Sequence, residues 1–387
     1  MLKGERREMN RKIVLLAVPL TLLSMFLISS PKAKALTTWE KYAGNPVLDL
    51  GSSGLWDDQS VWAPTILWKD GSYRMWYSGG RDDHNIRIGF AISSDGVSWT
   101  RYGSNPVLDV GPSGWDSFQV NSPSVLFNGS HYCMWYTGNN GNSIGLATSS
   151  DGVSWAKYSL NPVFSGGRYP SVLFDGSIYK MWYEGYDYTI RYATSLNGIL
   201  WTDYGSNPIL VHGLSGSWDG MYVASPSVIF NGSHYIMSYS GYQDSILSRK
   251  IGIAYSPDGI SWSKDGNNPI ISVGSSSAWD DTFVDHSTLL LIGSSLKMWY
   301  SGFDGTYNGT DPSHPTYYHR IGLATSEEMP TPPPPPPAVG GKATPINVQI
   351  IEPELQTPYI GLTILLAVAV VTVAYVKKRK RHTEIIS

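Results

Sequence analysis

Cysteine is almost missing from this chain: Cys133 stands alone among 387 residues. That excludes an internal disulfide framework and any zinc site built on cysteine thiolates. An excess of charge of one sign is missing too, the formal net charge being -3. With the basic residues of the central part scattered, the electrostatic footprint of a nucleic-acid binder is absent, and no nucleic acid is expected as a partner. Nor does the body carry the apolar period of helices.

The long apolar runs sit at the ends. Lys3, Arg6, Arg7, Arg11 and Lys12 precede an apolar run over 13–28 and the small-residue pattern Ala33-Lys34-Ala35. This order predicts a secretory signal peptide over 1–35; an uncleaved anchor is the alternative, and either exports the body. At the other end 359–376 is apolar and uncharged. As a helix rising about 1.5 Å per residue it spans a bilayer core of about 30 Å. Lys377-Lys378-Arg379-Lys380-Arg381 follows at once, and the positive-inside rule assigns 377–387 to the cytoplasm. Proline dominates 330–337, so 329–358 reads as a semi-rigid polyproline II stalk. The expected protein crosses the cell membrane once, through a C-terminal helix that has the lipid bilayer as its partner, and holds its 36–328 body outside.

The body repeats. Met-Trp-Tyr occurs at Met75, Met134, Met181 and Met298, and Met237-Ser238-Tyr239 is a degenerate copy. Ahead of these lie short strands that begin Ala63-Pro64, Ser122-Pro123, Tyr169-Pro170, Ser225-Pro226 and His286-Ser287. The dipeptides Asp70-Gly71, Asn128-Gly129, Asp175-Gly176 and Asn231-Gly232 join the two as expected two-residue hairpin loops. Segments such as Ile88-Gly89-Phe90-Ala91 supply a third strand, and turns such as Ser94-Asp95-Gly96-Val97-Ser98-Trp99 lead into a fourth that ends in Asn-Pro.

Four short antiparallel strands per unit, five times over, predict an all-β five-bladed β-propeller. The fifth unit stops at Ala324-Thr325-Ser326 with no fourth strand, whereas Trp39-Glu40-Lys41-Tyr42-Ala43-Gly44-Asn45-Pro46 is a fourth strand with no blade before it. The N-terminal segment is therefore expected to complete the last blade and close the ring. Neither a β-sandwich array nor an open solenoid explains that displaced strand.

Units reading Asn-Pro-Val-Leu, Trp-Asp, Pro-Ser-Val, Asp-Gly, Met-Trp-Tyr-Ser-Gly, Ile-Gly-Leu-Ala and Ser-Asp-Gly-Val-Ser-Trp resemble the arabinanase, levansucrase and invertase superfamily. The resemblance covers 37–326 and is greatest to glycoside hydrolase families 43 and 32, with family 130 more distant. It implies a carbohydrate substrate or ligand and, for an active member, hydrolysis of furanosides or β-linked oligosaccharides. A glycan-binding or adhesive propeller on the same scaffold is the alternative function. The Ser-Asp-Gly-Val-Ser-Trp turns are similar to the Asp-box of sialidases, which is a structural turn.

In a repeat protein, a residue present in every unit is framework and one that breaks the column is a candidate for function. Of the tryptophans only Trp62 fits no column; the other blades carry Asn121, Arg168, Ala224 and Asp285 there. First strands line a propeller axis, so Trp62, Asn121, Arg168 and the neighbouring His286 are expected to bind sugar, with Trp62 either stacking on a ring or plugging the channel. Asp57, Asp116, Asp219 and Asp280 each follow a tryptophan and read as loop caps. Glu184 stands where other blades have Ser78, Thr137, Ser240 and Ser301, Asp285 replaces a small residue, and Asp58 is a second acid beside a framework one.

Glycosidases need two carboxylates across the scissile bond, one protonated and one ionised. Asp58, Glu184 and Asp285 are the expected catalytic set. Family 43 implies acids immediately before the first-strand proline, but those positions hold Ala63, Ser122, Tyr169 and Ser225, with His286 in the fifth blade. Only Glu184 falls near a position where the resemblance implies an acid. No organic cofactor or catalytic metal is expected; the family's axial cation implies at most a structural ion near His286. The polar, aromatic loops at 81–84, 186–188, 242–244 and 302–319 are expected on the same face as the strand starts and read as binding loops, with solvated turns the alternative.

Overall fold

The computed structural model describes residues 38–81, 85–139, 142–243, 249–308 and 316–326. The expected signal peptide, stalk and C-terminal helix lie outside them, and no helix among the described residues is long and apolar enough to cross a membrane.

Every described element is a strand, and they assemble into five antiparallel sheets. The first blade is β2 (Ser60–Lys69), β3 (Ser72–Gly80), β4 (Arg87–Ser93) and β5 (Thr100–Arg101). The second is β6 (Asn121–Phe127), β7 (Tyr132–Thr137) and β8 (Ser143–Ser149), with β9 (Ala156–Lys157) and β10 (Phe164–Ser165) both paired to β8. The third runs β11 (Gly167–Phe174), β12 (Tyr179–Gly185), β13 (Ile190–Ser195) and β14 (Thr202–Asp203). The fourth runs β15 (Tyr222–Phe230), β16 (Tyr235–Tyr242), β17 (Arg249–Ser256) and β18 (Ser263–Lys264). In the fifth, β19 (Phe283–Ile292), β20 (Ser295–Asn308) and β21 (Thr316–Ser326) are completed by β1 (Trp39–Lys41), with Trp39 opposite Ser326 and Lys41 opposite Ala324.

The closure repeats the chemistry of an ordinary blade. Lys157 Nζ donates to Asp116 at 2.6 Å and Lys264 Nζ to Asp219 at 2.5 Å; across the closure Lys41 Nζ donates to Asp280 at 2.6 Å. Asn105 clamps Phe90 through both backbone groups, and Asn45 clamps Leu323 in the same way. The Trp-Asp aspartates are thus framework: Tyr77, Tyr136, Tyr239 and Tyr300 each donate a phenolic hydrogen bond to one.

Hydrophobic burial holds the blades to one another. Five apolar clusters occupy the five blade interfaces, where removal of apolar surface from water supplies the main driving force. Trp76, Trp135, Trp182 and Trp299 are at most 1% exposed. Each donates its indole N–H to a glycine carbonyl in the Asp-box turn of the next blade: Gly152, Gly198, Gly259 and Gly96, at 2.8–2.9 Å. The fifth blade has no Asp-box turn within the described residues, because its fourth strand comes from the N-terminus. Ser238 thus replaces the tryptophan at the interface where no Asp-box carbonyl stands among the described residues, and it accepts from the Ser287 hydroxyl at 2.9 Å.

The hairpins differ from expectation in three blades. Asp70-Gly71 is a two-residue loop with φ of 52° and 73°, as an Asx-Gly turn of that type requires. The other three loops are four residues long, between Phe127 and Tyr132, Phe174 and Tyr179, and Phe230 and Tyr235. There Asn128, Asp175 and Asn231 open the turn and accept backbone N–H bonds two and three residues on. Side-chain capping keeps the Asn or Asp out of left-handed backbone there, and only the glycine takes positive φ.

The Asp-box acids set an acid limit to stability. Backbone N–H groups of Ser98 and Val97 hold the Asp95 carboxyl well below the usual carboxylate range, and those of Ser154 and Val153 do the same for Asp151. Burial pushes Asp258 upward, but N–H bonds from Ser261 and Ile260 outweigh it. A depressed folded pKa gives stability that is present above the unfolded value and lost as pH falls. Asn197 makes the same bonds in the third blade without a charge. Changing Asp95, Asp151 and Asp258 together to Asn should flatten the fall of the melting temperature below pH about 4. An acid limb parallel to that of the parent would show that the acids do not set it.

Candidate active site at the mouth of the ring

Each first strand is interrupted by a bulge at the same place: after Trp62, Asn121, Arg168, Ala224 and Asp285 the register with the second strand shifts. The next residue in each case, Ala63, Ser122, Tyr169, Ser225 or His286, has φ between 43° and 53°. Such left-handed backbone costs a non-glycine residue about 1–2 kcal/mol. A hydroxyl from the preceding blade holds four of them: Ser301 accepts from the amide of Ala63, Ser78 from Ser122, Thr137 from Tyr169 and Ser240 from His286, at 2.8–3.1 Å. The five bulge residues ring an axial cavity of about 60 Å³.

At the remaining interface, between the third and fourth blades, Glu184 stands in the column that holds the hydroxyl elsewhere. Glu184 is 1% exposed and lies directly across the sheet from Arg168. Arg168 donates Nε–H and an Nη2–H to Glu184 Oε1 at 3.0 and 2.6 Å, while Oε2 is buried without a hydrogen-bond partner. Burial pushes the Glu184 carboxyl above its usual range, against the pull of Arg168 and His286.

Asp285, also 1% exposed, is built differently. Arg249 Nη1 donates to Oδ2 at 2.6 Å, and His286 Nδ1 lies 3.0 Å from Oδ1. Burial disfavours its charge, but His286 and Arg249 outweigh that and hold the carboxyl well below the ordinary range. Arg168 on Glu184 lies 5.0 Å from the Tyr169 ring, which meets His286 beside Asp285, so contacts run from one acid to the other and make them one cluster. His286 is wedged edge-on between Trp62 and Tyr169, with ring centroids 4.8 and 4.9 Å away, and Trp62 also faces His319.

Of the residues singled out in the sequence, Glu184, Asp285, Arg168, His286 and Trp62 are thereby brought together. Asn121 is buried on the same ring, with its Oδ1 unpartnered. Asp58 stands apart: its Oδ2 accepts the Gly54 amide at 2.6 Å, as Asp281 accepts that of Ser277, and Arg81 covers its Oδ1. That is loop capping. A structural cation near His286 does not fit the residues either. Arg249 already neutralises Asp285, and no group of three potential ligands occurs among the described residues.

Sequence reasoning passed over Arg249 and took His319 only as the end of a binding loop. Both stand two residues ahead of the third-strand isoleucine, a column that reads Ile86, Asn142, Tyr188, Arg249 and His319. The column test that isolated Trp62 would have found it, since it is varied, polar and at the mouth.

Comparison with known proteins places this geometry. The model of glycoside hydrolase family 130, described as beta-1,4-mannooligosaccharide phosphorylase, matches residues 57–174. A solved glycosyl hydrolase from Bacteroides ovatus superposes with a TM-score of 0.60 at 16% identity, over 75% of this chain and 94% of that one. The chain has the five-bladed β-propeller of the glycosidase superfamily. Within that superfamily, a structure described with the family of mannoside phosphorylases that contains hydrolases targeting beta-1,2 mannosidic linkages in Candida mannan gives 0.59 at 16% identity, over 80% and 99% of the chains. A thermostable family-43 glycoside hydrolase gives 0.55 at 19%, over 74% and 99%. At such identities the likeness is one of fold. An uncharacterised protein of Mycobacterium tuberculosis is 31% identical over 100 residues, which are 26% of this chain and 31% of that protein.

Proposed function

We propose that the chain is a carbohydrate-active propeller that cleaves neutral β-linked oligosaccharides, β-mannosides first among them, at the mouth formed by Glu184 and Asp285. The observation that carries this reading is the pair of buried carboxylates, tilted in opposite protonation directions and sharing one aromatic-lined cluster. Arg168 occupies Glu184 Oε1, so the oxygen without a partner, Oε2, is the one to carry a proton and pass it to the leaving-group oxygen. Asp285 stays ionised as base or nucleophile, and Trp62 offers its ring to a sugar face. The family-130 match over 57–174 supports the choice of mannosides.

A second reading, binding without cleavage, is favoured by the arginine held on each carboxylate and by the lack of an acid at any bulge position. The order of charges and apolar runs at the two ends supports export and anchoring of the propeller at a cell surface. The test of function incubates the purified full-length protein with mannooligosaccharides and aryl β-mannosides, with and without inorganic phosphate. Release of sugar or sugar phosphate supports cleavage. Saturable binding with no release selects the second reading, and neither binding nor release on any member overturns both.

A further inference from the structure

Next to the carboxylate cluster, between the second and third blades, lies a pocket of about 200 Å³ lined by Arg168, Glu184, Tyr186 and Tyr188 among others. Sites that take a drug-sized ligand run from about 300 Å³ upward, so this one suits a single sugar ring. Glu184, one of the lining residues, keeps a buried Oε2 that has no hydrogen-bond partner, a group that gains from meeting a hydroxyl.

Exposed apolar side chains stand at the mouth end of three blades, in the second, third and fourth. Tyr186 is 61% exposed and donates its hydroxyl to the Asn142 carbonyl of the second blade. In that same blade Phe118, also 61% exposed, is anchored by its backbone N–H on Asn139 Oδ1. On the other side Tyr188 stacks on Tyr222 of the fourth blade, with centroids 4.2 Å apart, beside the exposed Met221. Apolar surface left open around a polar pocket marks a binding surface. Arg168 is held on Glu184 and Arg191 on Asp187, so neither arginine of the patch stands free to pair with an acidic ligand.

We infer that the rim from Phe118 through Tyr186 and Tyr188 to Met221 is a stacking track for a neutral oligosaccharide of three or more sugars, one of which enters the Glu184 pocket. The inference rests on the proposed carbohydrate function and adds the length of the ligand and the residues that sense it. Each aromatic platform that a further sugar reaches should tighten binding roughly threefold to tenfold.

The test measures calorimetric affinities of β-mannooligosaccharides from one to six sugars for the Glu184→Gln full-length protein, alone and with Phe118→Ala or Tyr186→Ala added. KM values of the parent for the same ladder give a readout independent of that variant's folding. Affinity should climb from two to at least four sugars; Phe118→Ala should remove the gain for the longer members and leave the disaccharide unchanged, and Tyr186→Ala should weaken every length. Affinity that is flat beyond the disaccharide, or track variants that bind like their parent, overturns the track. A ladder that binds with this length dependence but is never cleaved leaves the track standing and removes the cleavage reading, whereas cleavage without length dependence does the reverse.

Discussion

Glu184→Gln is expected to lower turnover of a β-mannoside by at least about a thousandfold while the protein remains folded and still binds the sugar. Glutamine keeps the shape of the side chain and an oxygen for Arg168, so the cross-strand pair persists. What it removes is the proton that the acid role assigns to Oε2. The pH profile of the parent follows from the two shifts. The active form has Glu184 protonated and Asp285 ionised, so activity should hold from mildly acidic pH and fall as pH rises through the elevated Glu184 value. On the acid side it should persist below the ordinary carboxylate range, because Asp285 is held down by His286 and Arg249. A Glu184→Gln protein that keeps full turnover, or a profile that rises with pH throughout, would remove Glu184 from the acid role.

The second large effect concerns stability. Trp299→Ala should cost about 3–5 kcal/mol in urea unfolding, as large cavities in packed cores do. Trp299 is wholly buried between the fifth and first blades, and its indole N–H bonds the carbonyl of Gly96. Gly96 has φ of +79°, and a Cβ added there would come within 2.9 Å of Trp299 Cζ2. Gly96→Ala should therefore destabilise through both backbone strain and that clash, and the double variant should lose less than the sum of the singles. Additive losses would mean that the two residues do not press on each other.

Most of the fold could be read from the chain because each blade states its signals again. The Met-Trp-Tyr strand and the Asp-box glycine are two halves of one contact, repeated four times, and the displaced strand at Trp39 required the closure that pairs it with Ser326. The hairpins were misread because Asn128-Gly129 and Asp70-Gly71 look alike locally and differ in which group satisfies the backbone. Glu184 and Arg168 broke their columns separately, and sequence alone gave no reason to join them; the antiparallel register puts them face to face. Asp58 looked like Glu184, an acid out of pattern, but the Gly54 amide that it caps lies in its own loop. Arg249 stands in a varied column that marks it as a candidate, but its partner lies across a blade boundary and could not be named from the chain.

The pairing of Trp39 with Ser326 also decides how the molecule bears load. The two ends of the propeller leave it side by side, at the opposite end of the fifth sheet from the mouth, where Phe303 pairs with His319. Tension applied between them would peel the short first strand away one residue pair at a time, starting at Trp39, instead of shearing several pairs together. A propeller suspended by one end carries no such tension through its seam. One suspended by both would open there first.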